Sequence, residues 1–582
     1  MDATPPFTTR PELRGTVGMV ASTHWLASAA GMAMLERGGN AFDAAVAAGF
    51  VLQVVEPHLN GPGGEAPIVL YSADRDEVLV VDGQGPAPAA ATIERFRELG
   101  LDLVPGTGLL PACVPGAFDA WLLLLREFGT LTLAEVLEPA LGYAEDGYPV
   151  VPGICSSIAA MEELFRAEWP ESARLYLPVP APGDLFRNRD LAATYRRVLD
   201  EAGEGGREQQ IERARDAFYR GFVAEAIAGY LEDAEAMDSS GRRHAALLAG
   251  DDFASWQASL EPPVELDYHG WRVSKAGPWS QGPVFLQQLA LLDGFDLGSF
   301  DRVGAEFVHT VVECAKLAFA DREAWYGDPR FVDVPLAGLL SAGYAEERRG
   351  LVGEEASAEL RPGSPDGREP RLPTVHEADA VAAGVGEPTR GDTCHLDVVD
   401  RDGNAVSATP SGGWLHGSPI VPGLGLCLGT RAQMFWLEEG LPSSLEPRKR
   451  PRTTLSPTIA QRDRETLAFG TPGGDQQDQW SLVFFLSLVH FGLNAQEAVD
   501  APMFHTEHFT ESFYPRGARP RRLQLEDRFG PDVVADLGRR GHLAEVHEPW
   551  SLGRLSAAGR GGDGVLYAAA NPRRMQGYAV GR

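Results

Sequence analysis

Apolar residues recur at helical spacing over residues 23–39, where Trp25, Ala29, Met32 and Leu35 fall on one face. Thr23 is placed to cap this helix and Gly38-Gly39 to end it. Asn40 then caps a second helix through AFDAAVAAGFVLQVV, which Pro57 stops. Its faces are built from small residues, which predicts close packing against neighbours. NGPGG (60–64) reads as a turn, and IVLYS and VLVVD as short strands. Residues 110–330 read mainly as helices and loops. FDAWLLLLREFG and EFVHTVVECAKLAFADREAWYG are the clearest amphipathic pieces, and GEGGREQQIERARD is a polar surface element.

The pattern changes after residue 352. Residues 353–392 are rich in Glu, Asp, Pro, Gly and Ala, lack apolar periodicity, and are expected to form a flexible acidic linker. DTCHLDVVDRDGNAVSATPS then alternates like paired strands, with Asp402-Gly403 as the hairpin turn. TLSPTIAQ and TLAFGTPGG add strands, WSLVFFLSLVHF a helix, and the tail is basic and turn-rich.

Charge breaks at the same place. The 582 residues carry a formal charge of −31, yet residues 393–582 hold 20 basic and 21 acidic side chains, so nearly all the excess lies in 1–392. Such a chain looks cut near residue 392. Its acidity argues against nucleic acid and anionic membrane surfaces as partners. No run of about 18 apolar residues predicts a membrane span. The opening residues show no apolar signal core, so the expected location is cytoplasmic. Five scattered cysteines, Cys113, Cys155, Cys314, Cys394 and Cys427, predict neither a disulfide framework nor a zinc site. His505 and His508 lack a visible third ligand, so no metal is expected.

Thr393 is the candidate with chemistry. An internal threonine is an inert alcohol. At a chain N-terminus its own α-amine, with a reference pKa near ~8, can take the hydroxyl proton as the oxygen attacks an amide carbonyl. The peptide bond between Asp392 and Thr393 follows the linker and precedes a strand, as such a cut requires. On pattern alone the reading of a strand threonine chosen for β-propensity prevails over that of a nucleophile. Cys394 reads as a core strand residue, and His395 as a structural hydrogen-bonding group.

Six blocks occur together in order: GMVAS (18–22), LERGGNAFDAAVA (35–47), VPGAF (114–118), GDTCHLDVVDRDGNAVSAT (391–409), KRPRTTLSPTI (449–459) and GTPGGD (470–475). In this the chain, from about residue 15 to about 580, resembles the gamma-glutamyltranspeptidase family. The resemblance implies an α+β fold, the four-layer αββα sandwich of N-terminal nucleophile hydrolases. It also implies self-cleavage into a large fragment, 1–392, and a small fragment, 393–582, that stay associated as one compact domain. It implies that Thr393 attacks first the Asp392 carbonyl and then the substrate. Ser411 is the second hydroxyl hydrogen-bonded to the nucleophile, and the N–H groups of Gly473 and Gly474 form the oxyanion hole. Thr453 and Thr454 match a serine pair that contacts the substrate carboxylate. No cofactor is implied, and the partners are a small-molecule amide and the chain's own fragment, with further oligomerisation left open.

Departures bear on the substrate. Gln84 stands where the family has a carboxylate-binding arginine, Gly413 replaces a polar contact, and in GTRAQMF Arg431 replaces a polar residue and Met434 an acid. Met434 cannot bind an ammonium group. Arg431 reads either as an anchor for a substrate carboxylate or as a member of a structural ion pair. Only LEEGLPSSLEPR separates Phe435 from the KRP run, which predicts a short lid. The expected function is cleavage of a gamma-glutamyl or related amide through an acyl-threonine, with transfer to water or an amino acid. The alternative is a non-glutamyl acylase, such as an oxamate-like or dicarboxylic monoamide hydrolase. An unprocessed, non-catalytic homologue is the remaining reading.

Overall fold

The computed structural model describes residues 7–374, 393–575 and 577–582. Asp392 and the second half of the expected linker lie outside them. Two antiparallel seven-stranded sheets form the centre. One runs Leu13–Gly15, Leu566–Ala570, Ser556–Arg560, Glu465–Gly470, Thr458–Arg462, Trp271–Lys275, Val264–Tyr268. The other runs Tyr578–Gly581, Gly18–Ser22, Leu396–Asp400, Ala405–Ala408, Ile68–Ser72, Glu77–Asp82, Ser259–Glu261. Strands from before and after residue 392 are interleaved in both.

Because strand side chains alternate between faces, each strand serves two cores. Met19, Val69, Val399, Ile459, Ala468 and Ala558 pack between the sheets. Their neighbours Val20, Leu70 and Val398 point the other way, into a core shared with helices Trp25–Glu36, Ala41–Val55 and Ala117–Phe128. Helices Gly282–Leu292, Ala305–Trp325 and Gln477–Phe491 cover the outer face of the first sheet through Val273, Leu467 and Phe469. The order is therefore helix, sheet, sheet, helix.

Asn40 caps Ala41–Val55 as expected, in a reciprocal box with Asp43. The first helix is capped instead by His24, whose Nδ1 accepts from the Leu26 N–H at 3.2 Å. Every residue of Ala41–Val55 is buried. Gly49 allows this, since a Cβ there would stand 2.4 Å from the Trp121 ring. Residues 110–330 are not only helix and loop: the hairpin Val264–Tyr268/Trp271–Lys275 and strand Ser259–Glu261 close edges of both sheets. No helix among the described residues is long and apolar enough to cross a membrane.

Residues 353–374 contain no long element but are tied down. Ala356 N–H donates to Arg540 O at 2.7 Å and Gly363 N–H to Asp321 Oδ1 at 2.7 Å. Imidazoles hold the same stretch: His309 Nε2 meets Gly353 O at 2.8 Å and His508 Nε2 meets Glu359 O at 3.1 Å. His309 Nδ1 in turn meets His542 Nε2 at 2.8 Å. Burial, helped by the Lys316 charge, pushes His542 down to about 3 and His508 to about 4, and burial also lowers His309. An undocked segment frees these rings to titrate near ~6.5. The docked state thus binds fewer protons between the two values, and its stability is full above ~6.5 and falls with acidification. The Ala356 and Gly363 amides are expected to lose hydrogen-exchange protection between pH 7 and pH 5. Equal protection factors at both pH values would refute the imidazole clamp.

Candidate active site

Thr393 enters the second sheet through an antiparallel bridge to Ser411, and strand Leu396–Asp400 follows. Both side chains are buried, and Thr393 Oγ1 lies 3.2 Å from Ser411 Oγ. Ser411 is fixed by reciprocal backbone bonds with Glu65, at 2.8 and 2.9 Å. Arg431 Nη2 donates to Ser411 Oγ at 2.9 Å. Arg431 can only donate, so this bond occupies a lone pair of the Ser411 oxygen and not its proton.

Arg431 sits on a 3-10 turn, Arg431–Met434. It is paired with Glu65, through Nε at 2.6 Å and through Nη2. Its guanidinium faces the Trp414 and Phe513 rings, with centroids 5.3 and 5.5 Å away. Burial raises the Glu65 carboxyl above its ordinary value, and the Arg431 charge opposes that rise. Of the two sequence readings of Arg431, the ion pair is the arrangement present. Glu65 was not foreseen; its signal was an acid directly after the glycine turn, in a stretch whose neighbours are all apolar or small.

Strand Glu465–Gly470 brings the start of the glycine loop against His395. A Cβ on Gly470 would stand 2.3 Å from the imidazole of His395, two residues beyond Thr393. That imidazole is engaged on both sides, with Thr409 Oγ1 at 2.9 Å and Asp397 Oδ1 at 3.0 Å. Gly473 has φ +125° and Gly474 φ +57°, so the turn presents bare backbone. Asp475 anchors it, accepting from Ser512 N–H at 2.8 Å and pairing with Arg322.

The other predicted residues take different positions. Gln84 folds back on its own loop, Nε2 donating to Gly85 O at 3.0 Å. Gly413, at φ +65°, packs on the 61–64 turn, where a Cβ would stand 2.9 Å from Gly64 N. No side chain fits there, which accounts for the lost polar contact. Thr453 and Thr454 are buried; Thr453 N–H donates to Trp279 O at 2.8 Å, and Thr454 Oγ1 has no partner among the described residues. Arg450 of the KRP run is structural, paired with Asp82 at 2.7 Å and Asp328 at 2.9 Å. The lid segment is short and tied back: Thr374 N–H donates to Glu438 Oε1 at 2.8 Å. All five cysteines are buried, and none of them forms a disulfide. Among the described residues, one group has a geometry able to hold a metal: His309, Glu313 and His542. Glu313 is already paired there with Lys316 at 2.6 Å.

A buried hydroxyl pair at the head of a strand can serve acyl transfer, and the family model for gamma-glutamyltranspeptidase matches residues 27–581. The chain belongs to the gamma-glutamyltranspeptidase family. Members of this family hydrolyse amides or transfer acyl groups, and so does this enzyme. It is 33% identical to a glutathione hydrolase-like YwrD proenzyme of Bacillus subtilis (strain 168), over 97% of the chain and 99% of the relative. A solved structure called LmbA2991HD shares 56% identity and a TM-score of 0.94, covering 99% of this chain and all of that one. The cephalosporin acylase of Bacillus halodurans shares 29% identity and a TM-score of 0.83, covering 100% of this chain and 98% of that one.

A Cβ on Gly473 would stand 2.4 Å from the Trp480 ring, at a φ that side chains rarely adopt. Gly473→Ala is therefore expected to shift the loop and lower kcat by about 100-fold, the scale of one lost oxyanion donor. Steady-state kinetics on any turned-over amide checks this; a loss under threefold would show that the loop does not hold the oxyanion.

Proposed function

We propose that the protein is a self-processing N-terminal-threonine amidohydrolase, an acylase whose acyl group lacks the zwitterionic head of glutamate. The observation that carries the mechanism is the 3.2 Å contact between Thr393 Oγ1 and Ser411 Oγ, with Arg431 holding the serine. In maturation the Thr393 oxygen attacks the Asp392 carbonyl, the peptide C–N bond gives way to an ester, and water releases residues 1–392. The freed α-amine then accepts the Thr393 proton during attack on a substrate amide and passes it to the leaving amine. Gly473 and Gly474 hold the oxyanion. Water resolves the acyl-threonine. The interleaved strands keep both fragments in one sandwich after the cut.

The substrate reading rests on what stands at the positions where the family binds the glutamyl head. Gln84 has turned inward, Met434 is apolar and buried, and Glu65, whose backbone pairs with Ser411, is neutralised by Arg431. An α-ammonium finds no free carboxylate among these groups, and its loss from water would cost several kcal/mol. Similarity to an acylase as well as to a glutathione hydrolase-like proenzyme leaves room for this preference. The test compares kcat/KM for glutathione with that for simple N-acyl amides of similar size. The acyl amides are expected to be favoured at least 10-fold; glutathione as the better substrate would overturn the acylase reading.

A further inference from the structure

Behind the glycine loop lies a charge cluster that the mechanism does not use. Arg322, Arg452 and Arg516 are buried together around two carboxylates, Glu323 and Asp475. Arg322 pairs with both acids, to Glu323 at 2.8 Å. Arg452 reaches Glu323 at 3.0 Å and donates to Ser512 Oγ at 3.2 Å. Arg516 has no ion pair among the described residues. Its Nη1 donates to the carbonyls of Met434 and Phe435 at 3.0 and 2.9 Å, and it stacks on Trp436 at 3.5 Å.

Among the described residues, Glu323 and Asp475 are taken up by Arg322 and Arg452, and the Arg516 guanidinium is left without an ion pair. Arg516 Nε and Nη2, Arg452 Nε and the Thr454 hydroxyl have no hydrogen-bond partner among the described residues. Burial lowers Arg516 to about 9 and Arg452 to about 10, so both stay charged at neutral pH. An unpaired buried cation with orphan N–H groups is costly, and an anion placed there would repay that cost. The cluster also touches the site. Asp475 follows Gly474, Ser512 links Asp475 to Arg452, and Phe513 next to it faces Arg431.

We infer that Arg452 and Arg516 form the receptor for a carboxylate carried by the substrate, the role that Arg431 cannot fill while paired to Glu65. This rests on the amidohydrolase reading for its reaction but not for its binding. The planar guanidiniums suit a carboxylate, which each can grip through two N–H groups. The carboxylate belongs either to the acyl group or to the leaving amine.

Three anilides separate these cases on the processed wild-type enzyme. Butyryl-p-nitroanilide is neutral, succinyl-p-nitroanilide carries the charge on the acyl side, and butyryl-3-carboxy-4-nitroanilide carries it on the amine side. One charged anilide is expected to exceed the neutral one at least 10-fold in kcat/KM, through KM. The advantage should collapse in Arg516→Met and survive in part in Arg516→Lys, which keeps the charge if the methionine variant fails to fold. A neutral anilide equal to or better than both charged ones would overturn the inference, as would an advantage that Arg516→Met leaves intact. Calorimetric titration with succinate, which has no amide bond to cleave, reads the receptor without turnover. Binding that needs Arg516, together with no turnover of any amide, would uphold the receptor and remove the proposed reaction; no binding and no charge preference would remove the receptor alone.

Discussion

Thr393→Ala protein is expected to run as one band of 62.6 kDa and to show no amide turnover, a loss of about 10,000-fold or more. The alanine removes the oxygen that attacks the Asp392 carbonyl, so the cut does not form. Without the cut there is no free α-amine, and without the hydroxyl there is no acyl carrier. Thr393→Ser keeps the oxygen and is expected to process and to turn over, more slowly, which separates chemistry from folding. Far-UV circular dichroism matching wild type would show that the alanine protein is folded. Processing by the alanine variant at the wild-type rate would place the nucleophile elsewhere.

The second large effect concerns Glu65. Changing it to Met leaves Arg431 charged and buried against Trp414, Phe513 and Met434, and the expected destabilisation is about 3–5 kcal/mol. The site suffers too, because Arg431 then no longer holds Ser411 in place. Replacing both partners, Glu65→Met with Arg431→Met, removes the stranded charge, so the double variant should recover most of the lost stability. Denaturant unfolding of the four proteins of the cycle measures this. Additive losses would mean that the pair is not coupled, and the relay from Glu65 through Arg431 to Ser411 would then carry no orientation energy.

The hairpin around Asp402-Gly403 was legible because alternation and turn chemistry agree there, and Gly403 does take φ +96°. The helix after Asn40 was legible from its cap. The strands at 259–275 were readable too: VELDY and WRVSK alternate around His269-Gly270, both at positive φ. Their alternation is short, and the long apolar helices on either side dominate the pattern of that stretch. His24 displaced Thr23 as a cap because its ring could reach the Leu26 N–H, a contact that side-chain propensity does not rank. At the site, Thr393, Ser411 and the glycine pair were reached through the family blocks rather than through spacing. Glu65 and the Arg322–Arg452–Arg516 group were invisible for a different reason. Their partners are up to several hundred residues away in sequence, and only the fold states which charges share a buried space. Arg431 shows the same limit, since its residue type allowed two roles and its neighbour decided between them.

The central claim is that Thr393 becomes a chain N-terminus. N-terminal sequencing and intact mass of the purified wild-type protein test it most directly. Two fragments are predicted, the smaller beginning Thr-Cys-His-Leu at residue 393. A single intact chain with full amide turnover, or a small fragment that begins at any other residue, would contradict it.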